Sequence, residues 1–394
     1  MSAPQETDVI IDTDVGADDA QAVALALYAT TVPAYQFHLS AITTVHGNVS
    51  CDQATENLAK LLDYFHRTDI PFYKGASTPL DGGSPLSAEY AHGKSGLGDA
   101  CTTHLTTPPT VSARAGSAHQ ALVDMIMARP NHYTLVTLGP LTNVALALRS
   151  EPRLAQAVKQ LVVIGGAPSG RGNITTVAEF NVMGDPEAAR EVFAAMTAEC
   201  CTLVSWDLIL DTAVPFSWMD AAWLSQPTPC GTLMRSISRV HCELYRTQSP
   251  WAWGRTGYPF GDPLAVLLLL RPDAVRRQRA VRLGVETRGE LTRGMTVMEC
   301  RLVDRLAPMA REHCPGVCQL PRENVMVVEE LDRAVVQQVM LNLDFPFFRG
   351  GVLNYAGYYI MSSTRVSLVI VFRKTIKIEG KKNYWQEQSS RGGY

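Results

Sequence analysis

Four aspartates crowd into the eight residues Asp12-Thr13-Asp14-Val15-Gly16-Ala17-Asp18-Asp19. Carboxylates this close repel one another unless a cation sits among them, and a hard divalent ion with oxygen ligands suits such a group. The plainer alternative makes Asp18 or Asp19 a helix cap that also meets the positive end of the helix. That accounts for one or two of the four residues but not for all. Two other acidic motifs can be weighed directly. An EF-hand loop counted from Asp12 needs glycine at its sixth position and glutamate at its twelfth, where this chain has Ala17 and Val23. Asp12-Thr13-Asp14 by itself fits the Asp-x-Asp of an aspartyl phosphatase, one carboxylate as nucleophile and one as acid, but that scheme leaves Asp18-Asp19 without a task.

Further polar groups recur where the chain passes from one element to the next. Asn48 follows the run Thr43-Thr44-Val45-His46-Gly47; alone it reads either as a turn former or as a group presented at a strand end. His92-Gly93-Lys94-Ser95-Gly96-Leu97-Gly98 is glycine-rich, yet its spacing is wrong for a phosphate loop. Asn173, Glu179 and Asn181 carry donors and acceptors suited to sugar hydroxyls. Gly261-Asp262-Pro263 places one more carboxylate before a leucine-rich helical pattern. His313, Cys314 and Cys318 have no second ligand pair nearby, so they read as structural or incidental rather than as a zinc site.

Together these strings resemble the nucleoside hydrolases, the inosine–uridine type N-ribohydrolases. The matching segments are Asp-x-Asp-x-x-x-Asp-Asp (12–19), Thr-Thr-Val-x-Gly-Asn (43–48), His-Gly-x-Ser-Gly-Leu-Gly (92–98), Ala-Glu-Phe-Asn (178–181), Asp-Pro-Glu-Ala-Ala (185–189) and Asp-Pro at Asp262. The resemblance runs from about Asp8 to about Asp344. It implies calcium-dependent (Ca2+) hydrolysis of the N-glycosidic bond of a small-molecule nucleoside, giving ribose and a free base. It further implies metal ligation by Asp14, Asp19 and Asp262 with the backbone carbonyl of Leu138, a role indifferent to side-chain type. Asp14 would also take the proton of the attacking water. Asp18 and Asn181 would hold the ribose diol, Asn173 and Glu179 the 5′-hydroxyl, with Asn48 also at the substrate and Asp12 orienting the ligands. Family members usually form homo-dimers or homo-tetramers.

The departure from the pattern is Gly261. Many family members have histidine immediately before the last metal aspartate, where it protonates the leaving base, and other classes have tryptophan or cysteine. Glycine can neither donate a proton nor stack. His92, Trp253 and Tyr258 are the candidates for a leaving-group or base-pocket role, with His46 a further histidine near the site strings. The alternative function is therefore a low-activity or non-catalytic paralogue that binds metal and ribose.

These residues need elements to hold them. Val9-Ile10-Ile11 is an apolar β-branched run that reads as a buried strand, followed by a helical pattern from Ala20 to Ala29. Asp12 and Asp14 alternate on that strand and share a side. Leu39 to Val45, Leu135 to Leu138 and Leu161 to Ile164 read as further strands, with helices opening near Ala54 and at Pro140, which suits a first turn. The segment Trp218 to Phe260 reads as irregular and aromatic, Val285-Glu286-Thr287 and Thr292 to Val297 as a closing antiparallel hairpin, and Leu331 to Leu341 as a final amphipathic helix. Repeated strand–helix pairs predict an α/β fold with an open, mostly parallel, Rossmann-like central sheet, flanked by helices. Its ligands would lie at the carboxyl ends of the strands.

The chain of 394 residues has a formal charge of −3 and 46% hydrophobic residues, which gives no basic footprint for nucleic acid. Its first residues lack the basic start and apolar core of a signal peptide, and no apolar run reaches the roughly 18–20 residues that cross a membrane. Nine cysteines without a repeating pattern point to reduced thiols and a cytoplasmic protein. Residues 1–344 read as one domain. Residues 345–394, with a β-prone run from Val366 to Phe372 and a basic end, resemble nothing in the family and read as a poorly packed extension.

Overall fold

The structure, a computed structural model, describes residues 7–100, 103–225, 228–252, 257–299, 323–344, 352–363 and 366–377. Its strands are β1 (Thr7–Thr13), β2 (Phe37–Thr44), β3 (Phe72–Lys74), β4 (Tyr133–Thr137), β5 (Gln160–Ile164), β6 (Cys201–Val204), β7 (Val214–Pro215), β8 (Gly257–Tyr258), β9 (Val275–Val285), β10 (Thr296–Glu299), β11 (Val325–Leu331), β12 (Val352–Ser363) and β13 (Val366–Lys377). Nine of them form one sheet in the order β10-β9-β11-β6-β5-β4-β1-β2-β3. Neighbours pair in parallel from β11 to β3, while β9 runs antiparallel to both β10 and β11. The expected open, mostly parallel sheet is what the chain forms.

The order reverses between β1 and β4. From β1 the chain winds outward through β2 and β3, then returns to β4 and winds the other way through β5 and β6. The loops leaving β1 and β4 therefore diverge and open a crevice at the carboxyl ends of the strands, the place where such sheets bind ligands.

The strands are apolar because both faces are covered. Val9 and Ile11 join the core on one side of the sheet and Ile10 joins that on the other, all fully buried. Helix Ala17–Ala29 is buried nearly all round, and it packs against the leucine-rich helix Pro263–Leu270. Both helices begin at the crevice.

Two expectations need correcting. The stretch read as irregular from Trp218 to Phe260 is largely helical, with helices Pro229–Ile237 and Arg239–Ala252. Leu233, Met234, Ile237, His241 and Tyr245 are buried at three- and four-residue spacing, a pattern that the aromatic and polar content disguised. The final helix is Arg333–Met340 rather than Leu331–Leu341, since Leu331 ends β11 and Asp332 caps the helix through the N–H groups of Ala334 and Val335. The hairpin after Val285 forms as expected, Thr296 opposite Val285. In the tail, β12 and β13 pair antiparallel from Val352↔Lys377 to Ser363↔Val366, so the β-prone run does form a strand. Trp253 and the His313, Cys314 and Cys318 group lie outside the described residues.

Candidate active site

The aspartate block sits where β1 ends and helix Ala17–Ala29 begins. Asp12 points into the sheet beneath the crevice. Its Oδ1 accepts hydrogen bonds from Thr43 Oγ1 of β2 and from Asn143 Nδ2 at 2.7 Å, while Oδ2 is buried without a hydrogen-bond partner. Burial pushes its carboxyl up to about 7. Asp14 lies two residues on. Its Oδ2 accepts the Asn48 backbone N–H at 2.6 Å and its Oδ1 the Asn48 side-chain amide at 3.2 Å. The same Asn48 Nδ2 reaches Asp19 Oδ2 at 2.9 Å, which also accepts the Gly16 N–H at 2.8 Å. Thr13 Oγ1 donates to Asp19 Oδ1. Asn48 thus ties two carboxylates together. Its loop comes this close because Gly47 has a left-handed φ of +156°, where a Cβ would lie 2.0 Å from Asp14 Oδ2.

Asp262 arrives from far along the chain, at the N-cap position of helix Pro263–Leu270. Carboxylate oxygens of Asp18, Asp19 and Asp262 all lie within 4.8 Å of one another. Burial and then the neighbouring carboxylates raise the pKa of Asp14 and of Asp262, and likewise that of Asp19. Asp18 Oδ1 is buried and unpaired, 3.7 Å from His92 Nδ1. Among the described residues, no lysine or arginine lines the cavity above them. Mutually repelling carboxylates, two orphaned oxygens and no cationic side chain make a donor set that fits a hard divalent cation.

The cavity over this floor is lined by Asp18, Asn48, His92, Leu138, Asn173, Glu179, Asn181, Gly261 and Asp262, which brings together most of the residues singled out from sequence. Leu138 follows β4, and its carbonyl accepts a 2.7 Å hydrogen bond from Asn181 Nδ2. Glu179 caps helix Phe180–Gly184, taking the N–H groups of Asn181, Val182 and Gly166. Those bonds lower its pKa, but burial outweighs them and the net shift is upward. Asn173 Oδ1 accepts the Phe180 N–H at 2.8 Å, tying the Asn173 loop to that helix start.

The candidates for the leaving-group end separate clearly. His92 lines the cavity, and Tyr258 does not: it is fully buried, with its hydroxyl 3.1 Å from both Gln21 Nε2 and His241 Nδ1. Buried His46 faces Thr142 Oγ1 at 3.0 Å and is not among the lining residues. A Cβ on Gly261 would stand 2.7 Å from Asp18 Oδ2, so any side chain there displaces Asp18. Sequence reasoning missed Tyr90, Trp206, His241 and Tyr245, which line the same cavity. The i, i+4 pair His241 and Tyr245, continuing the spacing of Leu233 and Ile237, was the signal that could have found two of them.

Residues 9–338 match the family model described as inosine-uridine preferring nucleoside hydrolase. A non-specific ribonucleoside hydrolase, RihC, of Salmonella paratyphi C is 39% identical over 294 residues, 74% of this chain and 87% of that protein. Uridine nucleosidase 1 of Arabidopsis thaliana is 34% identical over 291 residues, 74% of this chain and 81% of the relative. A solved plant nucleoside hydrolase superimposes with a TM-score of 0.75 at 27% identity, covering 86% of this chain and 99% of its own.

Proposed function

From its membership of the inosine-uridine preferring nucleoside hydrolase family, to which this chain belongs, we propose that this hydrolase of nucleosides is calcium-dependent and works through the aspartate floor of the crevice. The observation that carries the reading is the convergence of Asp18 and Asp19 with Asp262 from far along the chain, the fully buried Asp14 close to them, beneath a cavity that no lysine or arginine lines among the described residues. Asp14, Asp19 and Asp262 with the Leu138 carbonyl are the ligands in this reading. When bound, calcium lowers the pKa of the attacking water and neutralises the carboxylate cluster.

The protein's own groups do the rest. Asp14 accepts the water's proton, held in place by two hydrogen bonds from Asn48. Asp18 and Asn181 hold the 2′- and 3′-hydroxyls, Asn173 and Glu179 the 5′-hydroxyl. Asp12, anchored by Thr43 and Asn143, sets the floor on which the ligands stand. Water attacks C1′ as the bond to the base breaks and its electron pair leaves with the base nitrogen. Positioning of this kind turns a bimolecular step into an effectively unimolecular one.

The test is turnover of inosine and uridine with calcium and with chelator. Release of ribose that chelator abolishes and calcium restores is the expected result; turnover indifferent to both overturns the calcium assignment. A second reading rests on one observation, Gly261, which offers no side chain to the leaving base. It predicts metal and ribose binding with negligible release of free base. We further propose a homo-dimer or homo-tetramer, checked by light scattering, and a reducing, cytoplasmic setting, which the free thiols of Cys51, Cys200, Cys201 and Cys242 support. Among the described residues no helix is long and apolar enough to cross a membrane.

A further inference from the structure

The leaving base needs a hydrogen-bond donor that Gly261 cannot supply, and among the described residues two histidines that could supply it line the cavity. Their surroundings distinguish them. His92 Nδ1 accepts the backbone N–H of Ala17 at 3.0 Å. A backbone N–H can only donate, so this nitrogen carries no proton and the ring is fixed by the start of helix Ala17–Ala29, close to Asp18 at the acidic end. His241 stands on helix Arg239–Ala252, in the aromatic part of the cavity. Its ring centroid is 4.8 Å from that of Tyr245 and 4.9 Å from that of His92, and the side chain is buried. A ring nitrogen of His241, one of His92 and a carboxylate oxygen of Asp18 lie within 4.8 Å of one another, and the aromatic neighbours of His241 offer faces on which a planar base stacks, so His241 stands where the sugar and the base meet.

Behind His241 lies a fully buried chain of hydrogen bonds. Its Nδ1 is 3.1 Å from the Tyr258 hydroxyl, and Gln21 Nε2 bridges that hydroxyl at 3.1 Å and Ser238 Oγ at 2.9 Å. With the Gln21 amide donating to the Tyr258 oxygen, the phenol's own hydrogen is available for His241 Nδ1. With the phenol donating to Nδ1, the imidazole proton is on Nε2, and this is the tautomer the proposal uses. Burial holds the His241 pKa well below its ordinary value, so the ring is a neutral donor and not an imidazolium.

Resting on the hydrolase reading above, we propose that His241, oriented by Tyr258 and Gln21, donates its Nε2–H to the departing base and so replaces the side chain missing at position 261. The C1′–N bond breaks with both electrons passing to the base nitrogen, the oxygen of water bonds to C1′, and its proton goes to Asp14. The His241 hydrogen bond stabilises the negative charge gathering on the base, which takes its final proton from solvent. The donor is neutral throughout, as a preorganised hydrogen bond aimed at developing charge requires. Tyr258 and Gln21 are positioning residues.

The experiment compares inosine and uridine with p-nitrophenyl riboside, whose leaving group needs little help, in the full chain with calcium. His241→Phe is expected to lower kcat on the nucleosides by about 10²-fold or more and on the activated riboside by less than tenfold. His241→Gln, which keeps an N–H donor, should recover part of the nucleoside rate. Tyr258→Phe should lower nucleoside kcat with little change in KM. Equal losses on both substrate classes, or none on the nucleosides, would overturn the proposal. Should His241→Phe fail to fold, judged by circular dichroism, Tyr258→Phe decides by the same comparison because it removes a single oxygen. If the parent hydrolyses neither class, the hydrolase reading itself has failed; if the parent is active and only the selective loss is missing, His241 has.

Discussion

At the scale of single residues, the site is a group of carboxylates that the fold forces together against their mutual repulsion. If Asp14 and Asp262 ligate calcium, the ion binds the folded chain alone and should raise Tm; at about 100 times the Kd the gain is about 2.7 kcal/mol. Asp14→Ala and Asp262→Ala should each remove that response in a calcium-dependent melting series, and an unchanged response in both would show the site misassigned. His46 sets a second expectation. Thr142 Oγ1 donates to Asp185 Oδ2 at 2.8 Å, so His46 Nε2 must be the donor in its 3.0 Å bond to Thr142, and its buried Nδ1 has no partner. Burial accordingly lowers the His46 pKa from 6.5 to about 4. A depressed histidine stabilises the fold fully above its unfolded pKa. That stability is lost as pH falls from about 6.5 towards 4, with a ceiling of about 3 kcal/mol. Urea unfolding between pH 7.5 and 4 should show the decline, and His46→Gln should flatten it. An identical slope in the variant would show that other groups cause it.

At the scale of elements, two helices starting at the crevice bring together carboxylates that lie far apart in sequence. Helix Ala17–Ala29 contributes Asp18 and Asp19, and the N-cap position of helix Pro263–Leu270 contributes Asp262; the two helices pack together, and Leu264 and Leu267 are fully buried in the core they share. Leu267→Ala should cost about 2–5 kcal/mol, the range for truncating a buried leucine whose cavity cannot collapse. Denaturant unfolding checks this, and a loss below about 1 kcal/mol would mean that the helices repack. Helix Arg239–Ala252 is the element that sequence reading misjudged. Its polar and aromatic residues obscured the helical period, because those side chains face a cavity instead of an apolar core.

At the scale of the molecule, the winding of the sheet matters most. Reversal of strand order between β1 and β4 brings the loops after both strands to one crevice, and the match to the family model ends at residue 338. We therefore expect truncation after Asp344 to leave a folded, soluble protein with its calcium response intact. Loss of soluble expression would show that the tail, with its β12–β13 hairpin, packs as part of the domain.

The sequence alone determined the strands whose apolar runs are continuous, such as Val9 to Ile11 and Leu161 to Ile164, and the open parallel sheet they build. It also marked the acidic floor, since four aspartates in one turn of chain demand an explanation wherever they fold. Those features are local: side-chain period and charge density are properties of neighbours in sequence. Only the tertiary structure decided that Asn48 binds two of those carboxylates, that Tyr258 stands behind the cavity and not in it, and that a side chain at position 261 would collide with Asp18. It alone brought forward His241, an unremarkable histidine in a stretch read as irregular. Such facts depend on distances between segments up to about 240 residues apart, among them the 3.1 Å from Gln21 to Tyr258, and no spacing along the chain encodes them.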